Sequence, residues 1–352
     1  MPFKRIVHID VWRLIAVMLV IQEHFLLFSG VDQYWLAIQA YSLQIERMGE
    51  LGVLIFFSIS GFVICNGLNS EKTISGRICL SAFCVRRFFR IVPPLWLYLA
   101  CLALLNAFDK VIISGFQVLK AAAFLCNLPL ENGCTWFAGH TWSLAYEEQF
   151  YLLFPLLFLW AWRGIKNLRL LMAIMVLLVV ALILKFAQQP FWVDYCIYFL
   201  FLLVGCFTAL LPKNYMQYLR ALPFIIWLGV VVLQMGLVWL IPNNQDVILK
   251  MLLYPLLIQL IVFGTPTRLL WVKYFFENKA LSYLGRISYS VYLWQQLATA
   301  YYENTLWWQT VIYLGIVFGF ASLSFHYFEM PCLRLGTDIS NRLKQSRSFL
   351  SN

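Results

Sequence analysis

Residues His8 to Phe25 read HIDVWRLIAVMLVIQEHF: an arginine, ten intervening residues and a histidine, set in a segment otherwise apolar enough to cross a bilayer. In a helix, the step from Arg13 to His24 advances ~16 Å and returns to within ~20° of the starting face, so the two share one stripe at different depths. An ionisable side chain at bilayer depth costs roughly 2.5–3.5 kcal/mol on insertion scales, and such groups usually line a bundle interior. The alternative is plain packing, with Arg13 snorkelling to the headgroups and His24 making one interhelical hydrogen bond.

The rest of the chain is of the same kind. Hydrophobic residues make up 62% and charged residues 12% of the 352 positions, and the mean hydropathy is +0.78. These values exclude an ordinary soluble domain. Apolar stretches of membrane-spanning length recur from end to end without period-two alternation, which implies helices and not a barrel. The net charge of +10 is read as lysine and arginine held on the cytoplasmic side, and no nucleic acid is expected as a partner. No cleavable signal is expected, because the first segment carries the Arg13/His24 pair and lacks a small-residue cleavage pattern. The nine cysteines show no metal spacing, and most sit in apolar runs as small hydrophobes. Cys126 and Cys134 flank a Pro/Asn/Gly loop placed outside, where a disulfide is possible.

Apolar runs and charged boundaries give spans near 9–29, 51–68, 91–107, 143–162, 168–186, 191–211, 221–241, 247–264, 283–301 and 306–328. The fold expected is therefore an all-α, polytopic integral membrane helix bundle of about ten transmembrane helices. In this drawing twenty of the 26 lysines and arginines lie on the side of the N-terminus, which puts both termini in the cytoplasm. Between the third and fourth spans, Val111 to Leu125 reads as an interfacial or re-entrant helix, broken by Gly115 and Lys120. One transmembrane domain, 1–336, and a short polar cytoplasmic tail, 337–352, complete the organisation.

Orientation turns polar positions into depths. Arg13 falls near the cytoplasmic surface and His24 near the outer one. Glu147 and Glu148 in TWSLAYEEQFYLLFP stand about one turn from the outer end of the fourth span, level with His24. A carboxylate that accepts a ring N–H fixes the imidazole tautomer and raises its basicity, as a general base requires; the alternative is that the glutamates mark a solvated boundary. On the inner side, Arg87 and Arg90 are three apart on a helical face and suit phosphate through forked donors, or else anchor the chain at lipid headgroups. Asp10 and Glu329 lie at the same inner level, and Glu329 is expected to pair with one of these arginines. Small residues of GVLIFFSISGF, among them Ser60 and Gly61, allow close approach of helices or substrate. A phosphate-friendly inner mouth, an outer His/Glu site and a polar stripe between them suit a cytoplasmic donor with a long arm. They also suit a proton-coupled transporter or flippase, which gives the arginine cluster no special task.

These residues resemble the acyltransferase 3 family of membrane-bound O-acyltransferases, especially bacterial O-antigen and exopolysaccharide O-acetyltransferases. The resemblance rests on Arg13 and His24 after Asp10, GVLIFFSISGF, the R-x-x-R of FCVRRFFRIVPPLW, WSLAYEEQFYLLFP, LSYLGRISYSVYLW and YFEMP, in that order over residues 8–334. It implies transfer of an acyl group, usually acetyl from acetyl-CoA as co-substrate, to a hydroxyl of a cell-surface polysaccharide or its lipid-linked precursor. The implied setting is the bacterial inner membrane, with membrane lipid as a partner and no tightly bound cofactor or metal. By the same match His24 is the implied catalytic residue, as base or transient acyl carrier, with Glu147 or Glu148 beside it. Arg13 is implied to line the donor path, and Arg87 and Arg90 to contact the CoA phosphates. Two positions depart from the family pattern: Gln295 stands where a histidine often follows Tyr-Leu-Trp, and Val11 follows Asp10 in place of glycine. Some members of that family carry an esterase-like module after the last span; here only a short basic tail is expected.

Overall fold

The computed structural model describes residues 6–28, 42–130, 133–164, 168–185, 189–240, 251–299 and 307–349, and among them the chain is helical with no strand. Lys4, Arg5, Lys166 and Lys250 of the charge count, and the ends of several drawn spans, lie outside the described residues. The helices run α1 Val7–Phe28, α2 Ser42–Ser75, α3 Leu80–Ala107, α4 Gly115–Ala122, α5 Trp136–Gly139, α6 Thr141–Gly164, α7 Leu168–Lys185 and α8 Pro190–Leu210. They continue with α9 Lys213–Arg220, α10 Phe224–Leu240, α11 Tyr254–Phe263, α12 Leu270–Phe276, α13 Lys279–Arg286, α14 Ser288–Ala298 and α15 Trp307–Ser324. A π-helical turn, Phe325–Glu329, then joins α15 to α16, Met330–Phe349.

Each drawn segment coincides with a helix, but fewer of these helices are long enough to cross a membrane alone. Among the described residues four are: Arg47–Ser75, Leu80–Ala107, Phe191–Leu210 and Val311–Ser346; there are five if α9 and α10, bent by 84°, count as one broken span. The drawn 283–301 segment is two short helices meeting at Ile287, and the described part of 247–264 holds the ten-residue α11. A ten-residue helix covers ~15 Å of a ~30 Å hydrocarbon core. The chain is a multi-pass membrane protein whose spans include broken and shortened helices.

Contacts divide the chain into two compact units. The first gathers α1, α2 and Leu156–Ser288. Its centre is α2 against α8, where glycines let backbones meet: a Cβ at Gly61 would strike the Leu202 carbonyl, and one at Gly205 the Ser58 carbonyl. Gly52 is closed in the same way by the Ala16 carbonyl of α1. The small residues of GVLIFFSISGF thus serve helix packing within this unit. Cys206 Sγ donates to Gly61 O at 3.2 Å and Thr208 Oγ1 to Gln259 Oε1 at 3.0 Å, satisfying polar atoms inside the packed pair.

The second unit holds Arg77–Pro155 and the chain from Tyr289 onward. Here α3 starts at Leu80, well before the drawn span at 91, and runs through Pro93 and Pro94. The prolines remove donors for the carbonyls four residues back; beside that gap the Tyr289 hydroxyl donates to Ile91 O at 2.7 Å. Neighbouring side chains of this kind allow proline inside membrane helices. The segment after Gly336, expected as a polar tail, is helical and packs on α3: Gly336 lies against Phe89, and Arg86 Nη1 donates to Ser340 Oγ at 2.6 Å. Gly115 opens α4 where the sequence suggested a break, because Ser114 and Gln117 form a reciprocal capping box. Lys120 is buried, over the Phe116 ring at 5.8 Å. Cys126 and Cys134 are disulfide-bonded with Cα atoms 5.7 Å apart.

Candidate active site

In the first unit, α1 carries Asp10, Arg13 and His24. Asp10 pairs with Arg13 at 3.9 Å and accepts from Ser282 Oγ at 3.5 Å, while the Asp10 backbone closes over Gly285. Trp12 Nε1 donates to Thr265 Oγ1 at 2.8 Å. These contacts fix the first two turns of α1, so the Arg13 side of the helix is set by packing. His24 is half-buried near the other end, and its neighbour Glu23 lies against Gly49 of α2. Ser60 and Gly61 are buried in α2.

The second unit brings together Arg87, Arg90, Glu147, Glu148 and Glu329. The Arg87 guanidinium stands over the rings of Tyr151 (5.1 Å) and Phe83 (5.7 Å). Tyr151 in turn donates to Glu147 Oε2 at 2.7 Å. Arg87 is within electrostatic reach of Arg90, Glu148 and Glu147, and Tyr289 of Glu329, both glutamates and Arg90. Glu148 Oε1 is buried with no hydrogen-bond partner among the described residues.

This corrects two expectations. The sequence placed the glutamate pair and the arginines at opposite membrane levels, yet they share one neighbourhood. Arg87 lies two turns inside α3, ~10 Å from its start, and Tyr151 nearly three turns inside α6, so both stand well away from the ends at which their helices begin. Among the described residues the expected ion pair of Glu329 is also not formed. Its carboxylate accepts instead from Ser290 Oγ, and from Ser324 Oγ at 3.4 Å, with Arg90 only an electrostatic neighbour. Glu329 closes the π turn Phe325–Glu329 and is buried there. His24, which Glu147 or Glu148 was expected to hold, belongs to the first unit; within its own unit Glu147 accepts from Tyr151.

A second polar cluster in this unit was not foreseen. His140 is buried with its ring edge-on to Tyr98 (5.5 Å) and Tyr292 (5.3 Å). Tyr292 OH donates to His140 O at 2.8 Å and shares a hydrogen bond with Ser143 Oγ at 2.7 Å. Tyr98 OH donates to Phe137 O at 2.6 Å. A signal for it was present: His140, Ser143, Glu147 and Tyr151 recur at helical spacing and make one stripe ending at Arg87. Gln295, in place of the family histidine, is fully buried and bonded to Gln296 (2.8 Å) and Thr299 (3.2 Å).

A family model described as an acyltransferase domain matches residues 6–326. Over 346 residues the chain is 26% identical to a protein of Listeria monocytogenes named peptidoglycan O-acetyltransferase OatA, covering 86% of this chain and 54% of that protein. It is also 26% identical to O-acetyltransferase OatA of Staphylococcus aureus strain NCTC 8325, over 82% of this chain and 53% of that one. A putative O-acetyltransferase of S. aureus strain COL matches similarly, 26% identical over 83% of this chain and 54% of its own length. The chain spans about half the length of these curated relatives. No solved structure matches.

Proposed function

The chain belongs to the acyltransferase-domain family, and from that premise we propose that it moves an acetyl group from cytoplasmic acetyl-CoA to a hydroxyl of a cell-envelope carbohydrate. The observation that carries this is the Arg87–Tyr151–Glu147 network: a guanidinium over a tyrosine ring whose hydroxyl donates to Glu147, with Arg90 one turn away and the buried Glu148 Oε1 without a hydrogen-bond partner among the described residues. A transporter has no use for a held pair of forked phosphate donors in that place. The relatives' names point to peptidoglycan as the acceptor class, ahead of the O-antigen or exopolysaccharide that the sequence motifs suggested. The topology proposed with it is ten crossings with both termini in the cytoplasm of a bacterial inner membrane, supported by the distribution of lysine and arginine.

In the second unit Arg87 and Arg90 take the CoA phosphates, with Tyr151 and Glu147 holding Arg87 in place; in the first unit the family resemblance gives Arg13 to the donor arm. His24 is the base. It removes the proton of the acceptor hydroxyl, the oxygen attacks the thioester carbonyl carbon, and the C–S bond breaks. CoA leaves as the thiol by taking that proton from the imidazolium, and the acetyl ester remains on the carbohydrate. A positioned base contributes ~10²–10⁴ in rate. His24→Ala in the purified, normally inserted protein is expected to lose that factor in transfer of radiolabelled acetyl from acetyl-CoA to membrane glycan. Undiminished transfer by His24→Ala, or no label in glycan with the unaltered chain, overturns the reading.

A further inference from the structure

At the start of the first unit lies a group of nitrogen donors that the acetyl-transfer scheme does not use. His8, on the first turn of α1, is only 6% exposed, and its Nε2 has no hydrogen-bond partner among the described residues. Arg220, the last residue of α9, is half-buried with a sealed Nε that likewise has none. The two are neighbours by construction. Trp12, one turn after His8 on the same face, is tied to Thr265 at 2.8 Å. Gly264, beside Thr265, is closed over by the Leu219 carbonyl, 3.5 Å from where a Cβ would stand, and Leu219 precedes Arg220. His8 also feels the Arg220 charge directly.

The carboxylate nearest along α1 is not spare, since Asp10 is engaged by Arg13 and Ser282. The start of α1 adds the positive end of its helix dipole, of the same sign. The C-terminal dipole of α9 offsets part of the guanidinium charge but supplies no acceptor to its Nε. Buried polar nitrogens without partners destabilise a fold unless something bonds to them, and a neutral imidazole can turn its one N–H to an anion through either tautomer.

We propose that His8, Arg220 and the first turn of α1 form a binding site for a phosphoryl anion, supplied by the headgroup of an acidic phospholipid. The source follows from α9. Its sequence KNYMQYLR has two basic residues and no acid, it is bent 84° from the apolar α10, and Tyr215 and Tyr218 are exposed on it at 47% and 73%. A basic, tyrosine-bearing helix set across the axis of an apolar one lies at the membrane surface, where phosphodiesters are concentrated.

The test is thermal unfolding of the purified full chain in neutral detergent, titrated separately with short-chain phosphatidylglycerol, short-chain phosphatidylcholine and CoA. Phosphatidylglycerol should stabilise at about tenfold lower concentration than phosphatidylcholine, the worth of one charge-assisted contact. Arg220→Gln should remove that preference, Arg220→Lys should keep most of it, and Arg87→Gln in the other unit should leave it unchanged. A response to CoA alone that depends on Arg220 also supports the phosphoryl site and assigns its occupant to the nucleotide. Should Arg220→Gln not fold, His8→Phe and Arg220→Lys carry the comparison. The inference is overturned if no titrant stabilises the unaltered chain selectively, or if folded Arg220→Gln or His8→Phe responds as the unaltered chain does. Activity toward acetyl-CoA does not enter the readout, so this outcome is separable from the acetyl-transfer reading.

Discussion

Replacing Tyr151 by phenylalanine isolates one atom of the donor-holding network. The ring that the Arg87 guanidinium covers at 5.1 Å stays, while the hydroxyl that donates to Glu147 Oε2 at 2.7 Å goes. A hydrogen bond to a charged acceptor is worth about 1.5–3 kcal/mol. Loss of the hydroxyl also leaves Glu147 without one of its donors, and so leaves Arg87 held by stacking and Coulomb attraction only. If Arg87 grips the donor equally in the ground and transition states, the effect belongs to binding and not to chemistry. The expected outcome is a rise in the apparent Kd and KM for acetyl-CoA of between about tenfold and about a hundredfold, with kcat within about threefold. Tyr151→Leu removes the ring as well and should add about 0.5–2 kcal/mol of further loss. The assay is transfer from radiolabelled acetyl-CoA by the purified chain, with donor affinity by calorimetry. Unchanged donor affinity with kcat down a hundredfold would place Tyr151 and Glu147 in the chemical step and refute the positioning role. No change in either constant would detach the network from the donor altogether.

Three more outcomes follow from packing. Gly61→Ala pushes a methyl into the Leu202 carbonyl, so the α2–α8 pair must separate; about 1–3 kcal/mol of destabilisation is expected as a lowered Tm in detergent. Gly229→Ala, where a Cβ meets nothing within 4 Å, should leave Tm unchanged. Glu329→Ala strips the acceptor from Ser290 and Ser324 and should lower Tm by the equivalent of about 1–3 kcal/mol, whereas Glu329→Gln keeps an acceptor oxygen and should retain most stability. Reduction of Cys126–Cys134 should add two maleimide-reactive thiols by mass and, from loop closure over a separation of 8 residues, destabilise the α4–α6 region by about 2.5 kcal/mol.

The α1 stripe could be read from sequence because both of its residues sit on one regular helix, where spacing alone sets the face. The second unit resisted because its boundaries were misplaced. Reading Pro93 and Pro94 as the start of a span put Arg87 and Arg90 outside it, but Tyr289 supports the carbonyl region near the prolines and lets α3 begin at Leu80. That shift carries the arginines inward to the glutamates. Opening the fourth span at Ser143 likewise left His140 in a loop, although it continues the 143–147–151 stripe of α6. The serine partners of Glu329 had no local signal, because Ser290 is 39 residues away in sequence and nothing in YFEMP announces the π turn that Glu329 closes.

Taken together, these placements change what the glutamate pair does. Seen as a level marker near the outer surface, it asks for an imidazole; seen beside Arg87 and Tyr151, it belongs to the holding of a guanidinium. A carboxylate that accepts from a tyrosine already stacked on the arginine fixes both rings and limits the rotamers of a long cation, so less entropy is lost when an anion arrives. The same unit leaves Glu148 Oε1 buried and without a hydrogen-bond partner among the described residues. On the proposed reading one glutamate orders the cation, while its neighbour has no part in holding it. The division of labour predicts unequal variants: Glu147→Gln should track Tyr151→Phe in donor affinity, and Glu148→Gln should not. If the two glutamine variants behave alike, the pair acts as a single charge and the assignment of separate roles fails.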